Sequence, residues 1–209
     1  MSVIYTALFS DYENLKEPTV ITPGWDYKCF TDQTLQSTAW EIIKVDPVTE
    51  PVRMARYYKI MEWVDWPRSI WVDASFVIDT DLDQWWAKYF KGGLSVPSHP
   101  MRTDIYEECM ACILGKRGDR VQVDAQMNEY RSAGVPGNTG IIQSGLMMRE
   151  NTPEVIELCE AWWREMVPRS SRDQIAFARI CSNFKCWNTY RWDYREEKDF
   201  IYKHHYYRR

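Results

Sequence analysis

The chain has no apolar run near the roughly 18 residues that would suggest a membrane span. Its opening stretch, MSVIYTALFSDY, places no basic residues ahead of its apolar part, so no secretory leader is expected either. It also lacks a charge excess: 26 Lys and Arg stand against 30 Asp and Glu, a formal net charge of -4. That removes the broad electrostatic footprint of a nucleic-acid binder, and any phosphate chemistry has to be local. These absences lead us to expect a soluble, cytoplasmic protein. Histidine is scarce, at 3 residues: His99, His204 and His205. The loop from Gly134 to Gly140 has neither Walker A nor Rossmann spacing, and is expected to shape a pocket floor or lid rather than cradle a phosphate. The cluster Asp79, Asp81 and Asp83 lacks the Gly and distal Glu of an EF-hand, so capping of a helix beginning at Thr80 or Asp81 is the better account.

What is present is enough chain for a sizeable core: 209 residues, read as a single domain over 1–209. The six cysteines are scattered through a chain too large to depend on disulfides, and reduced thiols are expected. Cys109 and Cys112 form a CxxC, but inside the helical pattern IYEECMACILG and with no second pair at zinc spacing. A helix face turned to the core is expected there, with redox or metal chemistry as the alternative. The 11 Trp and 13 Tyr suit dense packing first, and stacking on bases or sugar rings only selectively.

The stretch PRSIWVDAS (67–75) organises the rest. A short apolar run bounded by turn residues reads as a buried strand, and ligands in open α/β sheets bind at the carboxyl ends of strands. Asp73 stands at that end, as a hard oxygen donor suited to Mg²⁺ or Mn²⁺, or else as an Asp that only closes the turn. SVIYTALF (2–9) reads as a first strand leaving through Asp11 and Tyr12, and Tyr27–Thr31 and Trp40–Val45 as two more. From Pro51 the apolar period becomes helical up to a stop at Pro67, and that helix carries Arg53, Arg56 and Lys59, able to reach a diphosphate or to form a solvated face. A strand at Gly92–Pro97, a loop offering His99 and Arg102 to a substrate, and helices at Tyr106–Leu114 and Val121–Ser132 follow. Ile141–Arg149 reads as a strand interrupted at Ser144-Gly145, where glycine marks close approach by a ligand or another backbone, with Gln143 and Ser144 as the polar groups on offer. Thr152 is placed to cap one helix, and Ser170 or Ser171 to cap the next, which presents Asp173 and Gln174 in its first turn.

An Asp-Tyr exit from the first strand, a basic helix with Arg56 and Lys59, Asp73-Ala74-Ser75 after an apolar strand, Gln143-Ser144-Gly145, Asp173-Gln174, and a late His204 or His205 together resemble the glycogenin-like, family-eight type of GT-A glycosyltransferase. The resemblance spans nearly the whole chain through short motifs. WVDAS, HPMR and SRDQ also look like a plant and microbial glycosyltransferase-like family first described as a domain of unknown function, and the chain is similar to the N-terminal glycosyltransferase domain of a large chlorella-virus protein. The resemblance implies an α/β GT-A fold with a central, mostly parallel mixed sheet flanked by helices. It implies a nucleotide-diphosphosugar donor, UDP-linked, held with Mn²⁺ or Mg²⁺, and transfer to a glycan or other hydroxyl acceptor, with retention favoured over inversion.

By the same carry-over, Ala7, Phe9, Asp11 and Tyr12 hold the nucleotide, Arg56 and Lys59 the phosphates, Asp73 and His204 or His205 the metal, and Gln143, Ser144, Gly145, His99 and Arg102 the sugar. Asp173 and Gln174 are the candidate catalytic pair, as a base if the reaction inverts or as groups orienting the donor sugar if it retains. Ser75 stands where that motif has a second Asp, which implies weaker metal binding, or contact with ribose or a metal-bound water. A non-catalytic nucleotide-sugar or carbohydrate binding module is the competing reading.

Overall fold

The computed structural model describes residues 1–10, 13–193 and 195–203. Its strands are β1 (Ser2–Leu8), β2 (Trp25–Thr31), β3 (Glu41–Lys44), β4 (Arg68–Val72), β5 (Phe76–Ile78), β6 (Leu94–Pro97), β7 (Leu146–Glu150), β8 (Trp187–Tyr190) and β9 (Phe200–Tyr202). The helices are α1 (Pro51–Met61), α2 (Leu82–Tyr89), α3 (Ile105–Leu114), α4 (Arg120–Ser132), α5 (Pro153–Met166) and α6 (Asp173–Ile180). Seven strands form the central sheet in the order β3-β2-β1-β4-β7-β6-β8, while β5 and β9 pair in a small second sheet. Only β7 runs against its neighbours β4 and β6; the other pairings in the large sheet are parallel. This is the expected mixed α/β architecture with a mostly parallel sheet.

The period of two along the central strands sorts side chains into layers. Val3, Tyr5 and Ala7 of β1, with Phe9 just beyond it, pack with α1, α5 and α6 on one face, and Ile4 and Leu8 pack with α2 and the β5–β9 sheet on the other. In β4, Trp71 joins the first layer and Ile70 and Val72 the second. Each such side chain contributes about 1.5–3 kcal/mol when fully buried. A third cluster lies between α3, α4 and α6. Cys109 and Cys112 sit in it, so the CxxC is a core face as expected, and burial pushes the Cys109 thiol up to about 12 and the Cys112 thiol up to about 11.

Helix starts follow the caps. Asp81 accepts from Gln84 N at 2.9 Å and Thr152 from Val155 N at 3.4 Å, both as the sequence predicts. Three expectations need correcting. The helix from Pro51 ends at Met61, well before Pro67. Residues 141–149 do not form one interrupted strand. Ile142 makes an isolated bridge to Ser98, and β7 begins only at Leu146, because Gly145 O accepts the Asp73 amide and turns the chain into register with β4. Ser170 and Ser171 do not cap α6: Arg172 holds that position without a side-chain cap, and the Ser170 hydroxyl donates instead to Gln126 Oε1 at 2.5 Å.

Gly134–Gly140 does not line the cleft at the strand ends. Gly137 O accepts the Ile105 amide and Val135 O the Tyr106 hydroxyl, so this loop closes the start of α3. Among the described residues no helix is long and apolar enough to cross a membrane.

Candidate functional site

β1 and β4 run parallel and β7 antiparallel, so the carboxyl ends of the first two and the beginning of the third share one rim. A cleft of about 1000 Å³ opens there. It is walled by α1, by the turn before β7, by the start of α6, and by the loops at 99–102 and 115–119. Ala7, Phe9, Arg56, Lys59, Asp73, Ser75, His99, Arg102, Gln143, Ser144, Gly145, Asp173 and Gln174 all line it, as expected from the sequence. Arg53 does not: it is turned away, bonded to Glu50 and to the carbonyls of Val167 and Arg169. Asp11, Tyr12, His204 and His205 lie outside the described residues.

The strand period explains the centre of the cleft. Asp73 follows Trp71 by two residues and faces the same layer, towards α1. Its Oδ1 accepts from Trp71 Nε1 at 2.7 Å and pairs with Lys59 Nζ at 3.0 Å. Arg56 and Lys59, three apart on α1, share a helix face. Lys59 is buried, its ammonium also bonds Asp173 Oδ2 at 2.9 Å, and it lies over the Trp71 ring at 5.4 Å.

Asp173, equally buried, further accepts the Ser144 hydroxyl at 2.8 Å and the Gln174 amide at 3.1 Å, with Arg56 Nε at 3.6 Å. Burial alone would raise its carboxyl pKa; the charges of Arg56, Lys59 and Arg172 outweigh that and hold it well below the usual carboxylate range. One buried ammonium thus joins two carboxylates that lie far apart in the sequence. Of these, Asp73 is the one with solvent access, at 31%.

The remaining predicted residues brace the walls. Gln143 Nε2 donates to Ser98 O and Trp192 O, and Gln174 Nε2 to Ile142 O. His99 accepts the Arg102 amide at Nδ1 and has Arg102 Nη2 at 2.9 Å from Nε2; burial, then the Arg102 charge, lowers its pKa below the ordinary value. Arg102 is itself held by Glu108 at 2.6 Å.

Glu108 was not singled out in the sequence. It is buried, lies 3.6 Å from Arg172 Nη2 at its other oxygen, and accepts the Cys112 thiol. Its signal was a helical one: Ile105, Glu108 and Cys112 share the core face of α3, so a charge on that face had to be paired. Arg172, which the SRDQ motif contains but which was given no role, and Lys116, Arg117, Trp192 and Arg195, which were not singled out, also line the cleft.

Among the described residues no three His, Cys, Asp or Glu side chains converge as a metal site. Asp73 nevertheless fits a cation that takes most of its ligands from a diphosphate, as Mg²⁺ does. Oδ1 is occupied by two donors. Oδ2 lies close against Gly145, where an added Cβ would stand 3.2 Å from that oxygen, so the absence of a side chain at 145 leaves it uncovered on that side.

The mixed sheet, the helices on both faces and a polar cleft at the strand ends are consistent with a GT-A, glycosyltransferase-like fold. A family model described as the TOD1/MUCI70, glycosyltransferase-like domain matches residues 25–206, and the chain belongs to that family. No curated protein matches the chain.

Proposed function

We propose that this chain is a metal-dependent glycosyltransferase that moves a sugar from a UDP-sugar to a hydroxyl of a glycan acceptor, with retention, in the manner of glycogenin-like enzymes. The observation that carries the reading is the half-occupied Asp73 carboxylate. Lys59 and Trp71 hold Oδ1, while Oδ2 lies next to Gly145, which has no side chain to cover it, on a residue that lines the cleft and is 31% exposed. Asp73 would hold Mn²⁺ or Mg²⁺. β9 returns the chain to this turn, where the Lys203 amide donates to Ser75 O, and one of the two histidines that follow Lys203 in sequence would complete the ligand set. Such an ion supplies charge that offsets a departing diphosphate.

The chain's own residues supply the rest. Arg56 lines the cleft with its Nε 3.6 Å from Asp173 Oδ2, and its guanidinium would meet a phosphate oxygen and stabilise charge that develops there. The neutral Ser75 suits a ribose hydroxyl better than a hard dication. Asp173 is stabilised as an anion by its cations and by Ser144, and is therefore a poor base; it orients Lys59 and Ser144 on the donor side. The acceptor proton then passes to the leaving diphosphate oxygen, the outcome expected of retention.

The test is release of UDP from a panel of UDP-sugars with Mn²⁺ present, compared between the wild type and Asp73→Ala. Turnover that disappears in the variant supports the enzyme. Donor binding without turnover of any sugar points to the binding module instead.

A further inference from the structure

Beneath the cleft, on the far side of α1 from the solvent, lies a charge that this chemistry does not use. Arg149, on β7, is completely buried and has no carboxylate within ion-pair distance among the described residues. A buried cation without a carboxylate partner is costly, and what offsets that cost here is its hydrogen bonding. Its contacts point in one direction. Nη2 donates to the backbone carbonyl of Lys59 at 2.8 Å, Nη1 to the Tyr5 hydroxyl at 2.7 Å, and Tyr5 donates in turn to the same Lys59 carbonyl at 3.0 Å. The guanidinium also lies 5.3 Å from the Trp63 ring centroid. That carbonyl belongs to the last turn of α1, the negative end of the helix, where a cation is favoured.

We infer that Arg149 is a positioning residue: it pins the carbonyl of Lys59 so that the Lys59 ammonium stays clamped between Asp73 and Asp173 and leaves Asp73 Oδ2 free. The consequence for UDP binding rests on the function proposed above; the effect on Lys59 does not. Arg149→Met is the informative change. It keeps an unbranched apolar stem against Trp63, and leaves the Lys59 carbonyl still bonded by Tyr5. Removing a buried charge in this way is expected to be close to neutral for stability, whereas displacing a site group by about 1 Å costs up to about 100-fold in function.

The experiment measures, for the full chain and its Arg149→Met and Arg149→Lys variants, reductive methylation of Lys59 with formaldehyde and borohydride, read by peptide mass spectrometry. Melting temperature and the affinity for UDP with Mn²⁺ are measured alongside. Lys59 should be protected in the wild type and in Arg149→Lys, and modified at least about ten-fold faster in Arg149→Met. The melting temperature should be unchanged or higher, and UDP affinity about 10- to 100-fold weaker. Lys59 equally protected in Arg149→Met, or equally exposed in both variants, overturns the inference, as does a methionine variant that does not fold. A wild type that ignores UDP would refute the proposed function, while the labelling would still decide the role of Arg149.

Discussion

Replacing Asp173 by Asn keeps the outline of the side chain and removes its charge from a site where nothing else can compensate. The carboxylate is 1% exposed, binds Lys59 Nζ at 2.9 Å and faces Arg56 at 3.6 Å. In the variant, Lys59 retains only Asp73 as an anionic partner, and Arg56 loses its nearest one. Breaking a buried pair from one side costs about 3–5 kcal/mol. For a chain of this size each kcal/mol moves the melting midpoint by about 2–4 °C, so a fall of about 6–20 °C at pH 7 is expected. The amide oxygen can still accept from Lys59 and Ser144, which places the result in the lower half of that range.

The pH dependence carries its own sign. Burial raises this carboxyl pKa, but the surrounding cations more than reverse that, so the folded value lies below the unfolded one of about 3.9. Stability of this kind is complete above the unfolded value and is lost as pH falls through the folded one. The gap between wild type and variant should therefore hold steady from neutral pH to about 5 and narrow only below about 4. Thermal melts followed by circular dichroism over a pH series would show it. A variant melting within about 2 °C of wild type at neutral pH, or a gap already closed at about pH 6, would refute the reasoning.

Two further outcomes test the walls of the site. Gly145→Ala would place a Cβ 3.2 Å from Asp73 Oδ2 and 3.2 Å from the Phe76 ring. Calorimetry should show UDP–Mn²⁺ affinity about ten-fold weaker, with a melting shift below about 4 °C; unchanged affinity would mean that Oδ2 does not face the ligand. His99 has a pKa lowered by burial and Arg102, so it binds fewer protons folded than unfolded. Stability should fall as pH drops below about 6.5 towards the folded value, and His99→Gln should lose that slope in urea midpoints taken at about pH 7.5 and 5.5. Parallel slopes in the two proteins would show that His99 is not the group responsible.

Local chemistry was enough to place most elements. Asp81 and Thr152 announce helix starts because a cap is a matter of three or four neighbouring residues, and SVIYTALF and SIWV announce buried strands because the central sheet is covered on both faces. Asp73 was legible as a strand-end carboxylate for the same reason. Ser170 misled because its hydroxyl had a stronger use 44 residues away, at Gln126. The run from Ile141 to Arg149 misled because the turn at Gly145 is set by an amide from another strand. Neither partner is visible in the local sequence.

The sequence by itself determined the apolar strands of the central sheet and the helix starts at Asp81 and Thr152, and it marked Asp73, Arg56, Lys59 and Asp173 as candidates. Only the tertiary structure decided how they act together. Lys59 and Asp173 are 114 residues apart and meet because α1 and α6 pack on the same face of the sheet. That meeting turned a basic residue expected to reach a phosphate into a buried clamp, and a candidate base into its counter-ion. It also left Asp73, a residue of the cleft lining, with Lys59 and Trp71 both on one oxygen. Burial and pairing set the charge state and reach of an ionisable group, and both are properties of the packed chain rather than of any residue in it.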